Sequence, residues 1–244
     1  MQKTLFISDL HLDENAPEIT FQFLQLLKQC DKSIDALYIL GDLFEAWIGD
    51  DHDTPFHRSI IQALRAASDK GLKIYFMYGN RDFLIGKKFL QASGCKLLAD
   101  EEKISLYGTP VLLMHGDTLC TKDLAYLKAR KKGRNWLYQT IFLWMPLSYR
   151  LNFAERMRQK SAAYKKTATI EIMDVTQEEV ERVMQKHRVQ FLIHGHTHRP
   201  AFHPLKIDGE SAIRIVLPAW HGRGKALVWK ENGDYNFSEL ENIL

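Results

Sequence analysis

The chain has 244 residues, 45% of them apolar, and a formal net charge of +3, enough to bury one substantial core. Cys30, Cys95 and Cys120 are odd in number, far apart and outside any C-x-x-C pair, which excludes a disulfide framework or a zinc knuckle and points to a reducing cytoplasm. No run of ~18 apolar residues is present to span a bilayer, and Lys3-Thr4-Leu5-Phe6-Ile7-Ser8 enters so directly that no removable signal is expected.

In chain order, Leu5-Phe6-Ile7 is a short apolar run read as a buried strand, and it ends at Asp9-Leu10-His11. A helical pattern runs from about Ile19 to Cys30, and a second strand, Ala36 to Leu40, ends at Gly41-Asp42. Asp50, Asp51 and Asp53 read as a polar turn before a helix over Pro55 to Ser68, with Thr54 as its N-cap and Pro55 at its first position. The strand Ile74 to Tyr78 leads to Gly79-Asn80-Arg81-Asp82, followed by a helix from Leu84 to Ser93. Val111 to Met114 is the next strand, ending at His115-Gly116-Asp117.

Residues 120–172 lack strand signals and read as an insertion of two or three helices rich in Lys, Arg, Trp, Tyr, Leu and Met. From Lys122 to Lys166, twelve Lys and Arg face only Asp123 and Glu155, a local charge of +10 that leaves −7 on the rest of the chain. Such asymmetry implies an anionic partner for this segment alone. Thr176-x-x-Glu179 reads as a capping box opening a helix to about Lys186. Phe191 to Ile193 is a strand before Gly195-His196-Thr197-His198, and strands alone follow at Ile213 to Leu217, Ala226 to Trp229 and about Tyr235 to Phe237.

Strands alternating with helices imply a layered α/β sandwich in one domain, residues 1–244, whose ligands collect beyond the strand carboxyl ends. Five polar clusters stand there and offer Asp9, His11, Asp42, Asn80, His115, His196 and His198, with no thiolate among them. That is the inventory of a two-metal site, in which one carboxylate bridges ions about 3.5–4 Å apart. Asp42 is the best bridging candidate, and the set accepts Mn²⁺, Fe²⁺ or Zn²⁺. Any one such residue is ordinarily a cap or a solvated group, so the weight lies in their joint recurrence. His52, His57, His187 and His203 lack motif context and are expected at the surface, while His221 stays open between a support for the metal site and a surface residue.

The ordered set resembles the calcineurin-like metallophosphoesterases, in which D-x-H, G-D, G-N-[HR]-D, H and G-H-x-H supply metal ligands. Most members carry a histidine where Arg81 stands; a guanidinium cannot deliver a proton near neutral pH but can clamp a phosphate. The stretches Leu40-Gly41-Asp42-Leu43-Phe44-Glu45-Ala46-Trp47-Ile48-Gly49-Asp50-Asp51, Gly79-Asn80-Arg81-Asp82-Phe83-Leu84, Met114-His115-Gly116-Asp117-Thr118-Leu119-Cys120 and Ala219-Trp220-His221 are similar to the UDP-2,3-diacylglucosamine pyrophosphatases of lipid A biosynthesis.

That resemblance implies an α/β/β/α sandwich with a helical lid over about 120–172, two Mn²⁺ per chain, and hydrolysis of UDP-2,3-diacylglucosamine to UMP and 2,3-diacylglucosamine 1-phosphate. It implies a first ion on Asp9, His11, Asp42 and His198, and a second on Asp42, Asn80, His115 and His196. Asp42, Asn80, Arg81 and His196 would be catalytic, with Asn80, Arg81 and His196 also touching the diphosphate. Asp123 and Ser161 would bind the substrate head, and Lys165 and Lys166 would stand in for a lysine that the family places at Ala168. The insertion suits this lipid-linked sugar nucleotide: Trp136, Phe142, Trp144 and Phe153 could line an apolar chamber. Arg130, Lys131, Lys132, Arg134, Arg156 and Arg158 could face phosphates or the anionic inner leaflet. The expected place is the cytoplasmic face of the inner membrane, with no nucleic acid and no obligate protein partner. Two rivals remain: a phosphoesterase acting on a soluble nucleotide, a nucleic acid or a phosphoprotein, and a peripheral membrane-binding module with a vestigial site.

Overall fold

The computed structural model describes residues 1–243 apart from Ala168, with only the backbone described at 162, 165–167, 170 and 171. The strands are β1 (Lys3–Ile7), β2 (Ile34–Leu40), β3 (Lys73–Met77), β4 (Lys96–Leu97), β5 (Glu101–Leu106), β6 (Thr109–Met114), β7 (Phe191–His194), β8 (Ala201–Ile207), β9 (Glu210–Val216), β10 (Lys225–Lys230) and β11 (Tyr235–Glu239). The helices are α1 (Pro17–Gln29), α2 (Pro55–Asp69), α3 (Lys87–Ser93), α4 (Leu124–Gly133), α5 (Trp136–Trp144), α6 (Leu147–Thr167), α7 (Ile170–Met173) and α8 (Gln177–His187). Among the described residues no helix is long and apolar enough to cross a membrane.

The strands form two sheets, one ordered β11-β10-β1-β2-β3-β4 and the other β5-β6-β7-β9-β8. Their centres are parallel, at β1-β2-β3 and β6-β7-β9, and both faces of these strands are buried. That is why they read as continuous apolar runs rather than alternating ones. Phe6, Tyr38 and Met77 from the first sheet meet Val111, Leu113, Ile193 and Ile215 from the second in a layer between the sheets. Their neighbours along each strand point the other way: Leu5, Ile7, Leu37 and Ile39 pack with Phe23, Leu26, Ile60 and Leu64 of α1 and α2. Leu112, Met114 and Leu192 pack with Val180, Val183 and Met184 of α8. The period of two therefore builds an α/β/β/α sandwich, each buried Phe or Leu contributing about 1.5–3 kcal/mol.

Thr54 caps α2 as expected, its hydroxyl accepting the His57 N–H at 3.2 Å with Pro55 behind it. α3 starts at Lys87 rather than Leu84, and its cap comes from another loop: Asp50 accepts from the backbone N–H of Gly86 (2.8 Å), Lys88 (3.0 Å) and Phe89 (3.2 Å). The capping box at Thr176 does not form, because its hydroxyl turns to Leu119 O at 3.2 Å and Thr121 at 2.6 Å, while Glu179 takes Arg182. Edge strands β5 and β8 carried no sequence signal, since β5 is mostly polar and β8 contains Pro204, which only an edge tolerates. Among the described residues, the segment expected as two or three helices holds four, α4 to α7. His57 is no surface residue: it is 7% exposed, donates from Nδ1 to His52 O at 2.8 Å, and packs beside Phe44 and Trp47.

Candidate metal centre

The carboxyl ends of β1, β2, β3, β6 and β7 bring the five polar clusters together, and the backbone there is unusual. Eight described non-glycine residues have positive φ, and five of them are candidate ligands: Asp9 (54°), His11 (50°), Asp42 (53°), His196 (69°) and His198 (56°). Left-handed backbone costs an L-residue roughly 1–2 kcal/mol, so the surrounding bonds must hold these residues in place. They do so across elements: Asp9 N–H donates to Gly41 O (3.1 Å), His11 N–H to Asp42 O (3.0 Å) and Gly195 N–H to His115 O (2.8 Å). Glycine is required where loops meet, since a Cβ on Gly195 would fall 2.3 Å from Asp9 Oδ2 and one on Gly79 2.0 Å from Asp42 Oδ1.

All seven expected ligands converge. One oxygen, Asp42 Oδ2, lies 3.9 Å from both His11 Nε2 and His115 Nε2, so it faces both halves of the site. Ligand atoms of Asp9, His11 and His198 lie within 4.8 Å of one another, as do those of Asp9, Asp42 and His115, which places Asp9 as well as Asp42 between the halves. Asn80 Oδ1 stands 3.1 Å from His115 Nε2 and 3.0 Å from His196 Nδ1. His115 Nδ1 is held by Leu40 O at 2.8 Å, leaving Nε2 for the site.

Electrostatics fit a cation. Burial pushes the Asp9 carboxyl up, but His198, His115 and His11 beside it hold it well below the usual range. Burial likewise opposes protonation of His115, yet Asp42, Asp9 and Asp117 raise it to about 9. His11 is raised against its burial by Glu45, Asp42 and Asp9. His196, buried beside His115, is pushed down to about 4 and is neutral. Asp9 Oδ1 and both ring nitrogens of His11 are buried without a well-aligned hydrogen bond, although His198 Nε2 approaches Asp9 Oδ1 to 3.3 Å and Glu45 Oε2 approaches His11 Nδ1 to 3.1 Å. Buried donors left short of partners, in a carboxylate, carboxamide and imidazole set, are what divalent cations would satisfy.

Arg81 donates its backbone N–H to Asp42 Oδ1 at 2.8 Å, and its guanidinium lies 3.2 Å from Glu45 Oε1. Asp123 is buried and caps α4 by accepting the Tyr126 N–H at 2.9 Å. Ser161 is half-buried on α6, and the side chains of Lys165 and Lys166 lie outside the described residues. Two basic residues expected to face phosphates or headgroups instead point inward. Arg130 donates to Asp117 Oδ2 at 2.6 Å and Asp100 at 2.8 Å, and Arg134 donates to Gly79 O at 2.9 Å while lying over the Tyr78 and Phe83 rings.

Sequence reasoning missed three acidic supports. Glu45 touches both His11 and Arg81. Asp82 accepts the Gly79 N–H (2.8 Å) and the Leu43 N–H (2.7 Å), with burial and Asp42 pushing its carboxyl up to about 7. Asp117 accepts from Tyr126 OH at 2.5 Å as well as from Arg130. Asp82 and Asp117 stood inside the motifs; they are as buried as Asp9 and Asp42, and what distinguishes them from ligands is that backbone N–H groups, Tyr126 and Arg130 occupy their oxygens. Behind His196, fully buried His194 meets Arg214 Nη1 at 3.1 Å and Gly195 O at 2.9 Å, its pKa pushed down to about 3 by burial and that guanidinium.

Comparison with known proteins agrees with this geometry. A UDP-2,3-diacylglucosamine hydrolase of Pseudomonas entomophila is 56% identical over 229 residues, covering 94% of this chain and 95% of that one. Its namesake from Pseudomonas aeruginosa is 54% identical over the same shares. One from Enterobacter sp. is 54% identical over 221 residues, 91% of this chain and 92% of that one. The family model of the calcineurin-like phosphoesterases matches residues 2–200, and the chain belongs to that family.

Proposed function

We propose that the chain hydrolyses the diphosphate of UDP-2,3-diacylglucosamine to UMP and 2,3-diacylglucosamine 1-phosphate, a step in lipid A biosynthesis, using two Mn²⁺ ions. The substrate reading is supported by relatives of that name at 54–56% identity over 94% of the chain. Asp9, His11, Asp42 and His198 would hold one ion, and Asp42, Asn80, His115 and His196 the other. Bound divalent cations supply Lewis acidity and a water of lowered pKa.

The observation that carries an anhydride over an ester is Arg81. An ester releases an alkoxide that must be protonated, and a guanidinium cannot give up a proton near pH 7. Cleaving a diphosphate releases a phosphate monoester, whose second pKa is about 6, so it departs as a stable anion. Arg81, steadied by Glu45 at 3.2 Å, is placed to donate to phosphoryl oxygens as charge develops on them. Asn80 and neutral His196 stand beside it to orient the same group.

Helices α4 to α7 would form the lid, with Asp123 and Ser161 binding the sugar nucleotide. Trp136 and Trp144 of α5 are 73% and 86% exposed, which supports contact with the cytoplasmic face of the inner membrane alongside the basic residues of this segment. The test compares the diacylated sugar nucleotide with an unacylated one in detergent. Selective turnover of the former supports the proposal, whereas equal rates favour a phosphoesterase for soluble substrates. Mass spectra of products formed in ¹⁸O-labelled water then identify the bond cleaved.

A further inference from the structure

Arg150, near the start of α6, is 2% exposed and, after Trp229, is the largest of the fully buried side chains. Its guanidinium reaches out of the helical segment into the loop that follows β2. Nη1 donates to Ile48 O at 2.7 Å and to Asp51 Oδ1 at 2.8 Å, and Nη2 contacts Asp51 Oδ2. Nε donates to Met145 O at 3.0 Å, in the turn between α5 and α6. One side chain thus joins two helices to a loop distant in sequence.

The receiving loop is shaped around it. A Cβ on Gly49 would lie 2.5 Å from Arg150 Nη1 and 2.8 Å from Leu143 Cδ2, and Gly49 sits at φ +131°. From this loop, Trp47 N–H donates to the carbonyl of Arg81 at 3.0 Å, and Trp47 Nε1 donates to Asp50 at 3.1 Å. The path from the α5–α6 corner to the backbone of the phosphate clamp is therefore short and fully bonded. α4 does not depend on it, because Arg130 and Arg134 fasten that helix separately to Asp117 and Gly79.

We infer that Arg150 is a positioning residue that fixes α5 and α6 relative to Arg81, so that the acyl end and the diphosphate end of one substrate meet a single rigid frame. It touches no reacting atom. The fork needs two nitrogens on Asp51 and a third donor on Met145, a pattern lysine cannot reproduce. The inference rests on the acylated-substrate reading, and its test separates the two.

Arg150→Met, Arg150→Lys and Gly49→Ala are compared with wild type, the last displacing the guanidinium without removing a charge. Expected is a rise in KM for the diacylated substrate of about 10- to 100-fold, the scale of a small misplacement, with kcat little changed. Turnover of an unacylated sugar nucleotide and Mn²⁺ affinity should stay at wild-type values. Amide hydrogen exchange should quicken in α5 and α6 but not in α4 or the central strands. Equal losses on both substrates, or unchanged exchange in α5 and α6, would overturn the role. Exchange that quickens throughout the molecule in all three variants would also overturn it, marking Arg150 as a general core group. Should wild type turn over both substrates alike, the proposed function fails while the exchange measurement still decides the coupling.

Discussion

Glu45 stands between a candidate metal ligand and the phosphate clamp, 3.1 Å from His11 Nδ1 and 3.2 Å from Arg81 Nη1. A carboxylate behind a ligating imidazole fixes its orientation and raises its basicity, and losing such a partner typically costs 10–100-fold in metal affinity or activity. Glu45→Gln keeps the shape and removes the charge, so it should lower Mn²⁺ affinity and kcat together by about that factor. Calorimetric titration with Mn²⁺ and steady-state rates check this; two unchanged values would deny Glu45 the role. His57 permits a test far from the chemistry. Burial holds its pKa below 6.5, against the His52 carbonyl, Glu14 and Asp53, which favour the charged ring, and with His52 disfavouring it. The unfolded state therefore binds more protons as pH falls below 6.5, and stability drops in that direction. His57→Phe should flatten the melting temperature of the protein between about pH 5 and 7 relative to wild type, and an identical slope would contradict the assignment. Ligands were legible because each is set by its own loop at a strand end. Glu45 and His57 were not, because their roles depend on neighbours from other elements.

At the scale of elements, α5 presents no buried residue at all, which a helix of a monomeric core would not do. Asn135 caps it, accepting from Leu137 N at 3.0 Å and Tyr138 N at 3.4 Å, so the helix is set locally while Trp136, Leu137, Tyr138, Ile141 and Trp144 stay exposed. Trp136→Ser and Trp144→Ser remove little buried area and should leave the melting temperature nearly unchanged. Co-sedimentation with vesicles of anionic phospholipid should weaken markedly; undiminished binding would dissociate α5 from the membrane. Strong apolar periodicity made the central strands and α1, α2 and α8 readable. Thr176 illustrates why caps were less so: the same hydroxyl that could close a capping box also reaches Leu119 O and Thr121, and tertiary geometry decides between them. The +10 segment misled in a similar way, since charge counts cannot tell Arg130, paired with buried Asp117, from a solvated lysine.

In the whole molecule the candidate site joins two sheets. Asp9, His11, Asp42 and Asn80 follow strands of the first, and His115, His196 and His198 follow strands of the second. Carboxylates of Asp9 and Asp42 lie within 4.8 Å of each other around His115, so without cations the raised His115 and His11 balance them, a role that bound cations would take over. Cation binding should therefore tighten the fold as a unit. At a free Mn²⁺ concentration of 100 times Kd, one site adds about 2.7 kcal/mol, or about 5–10 °C in melting temperature for a chain of this size. Chelation should remove that increment, and Asp42→Asn should abolish it while the metal-free variant melts below metal-free wild type, because buried His115 loses the carboxylate that raises its pKa. Calorimetric scans of both proteins with Mn²⁺ and with chelator separate the terms. A metal-free variant that melts at or above wild type would deny Asp42 its pairing with His115, whereas an unchanged Mn²⁺ increment would place the ion elsewhere. Loss of turnover together with loss of the Mn²⁺ increment is the signature of a carboxylate that serves the chemistry through the ions it holds.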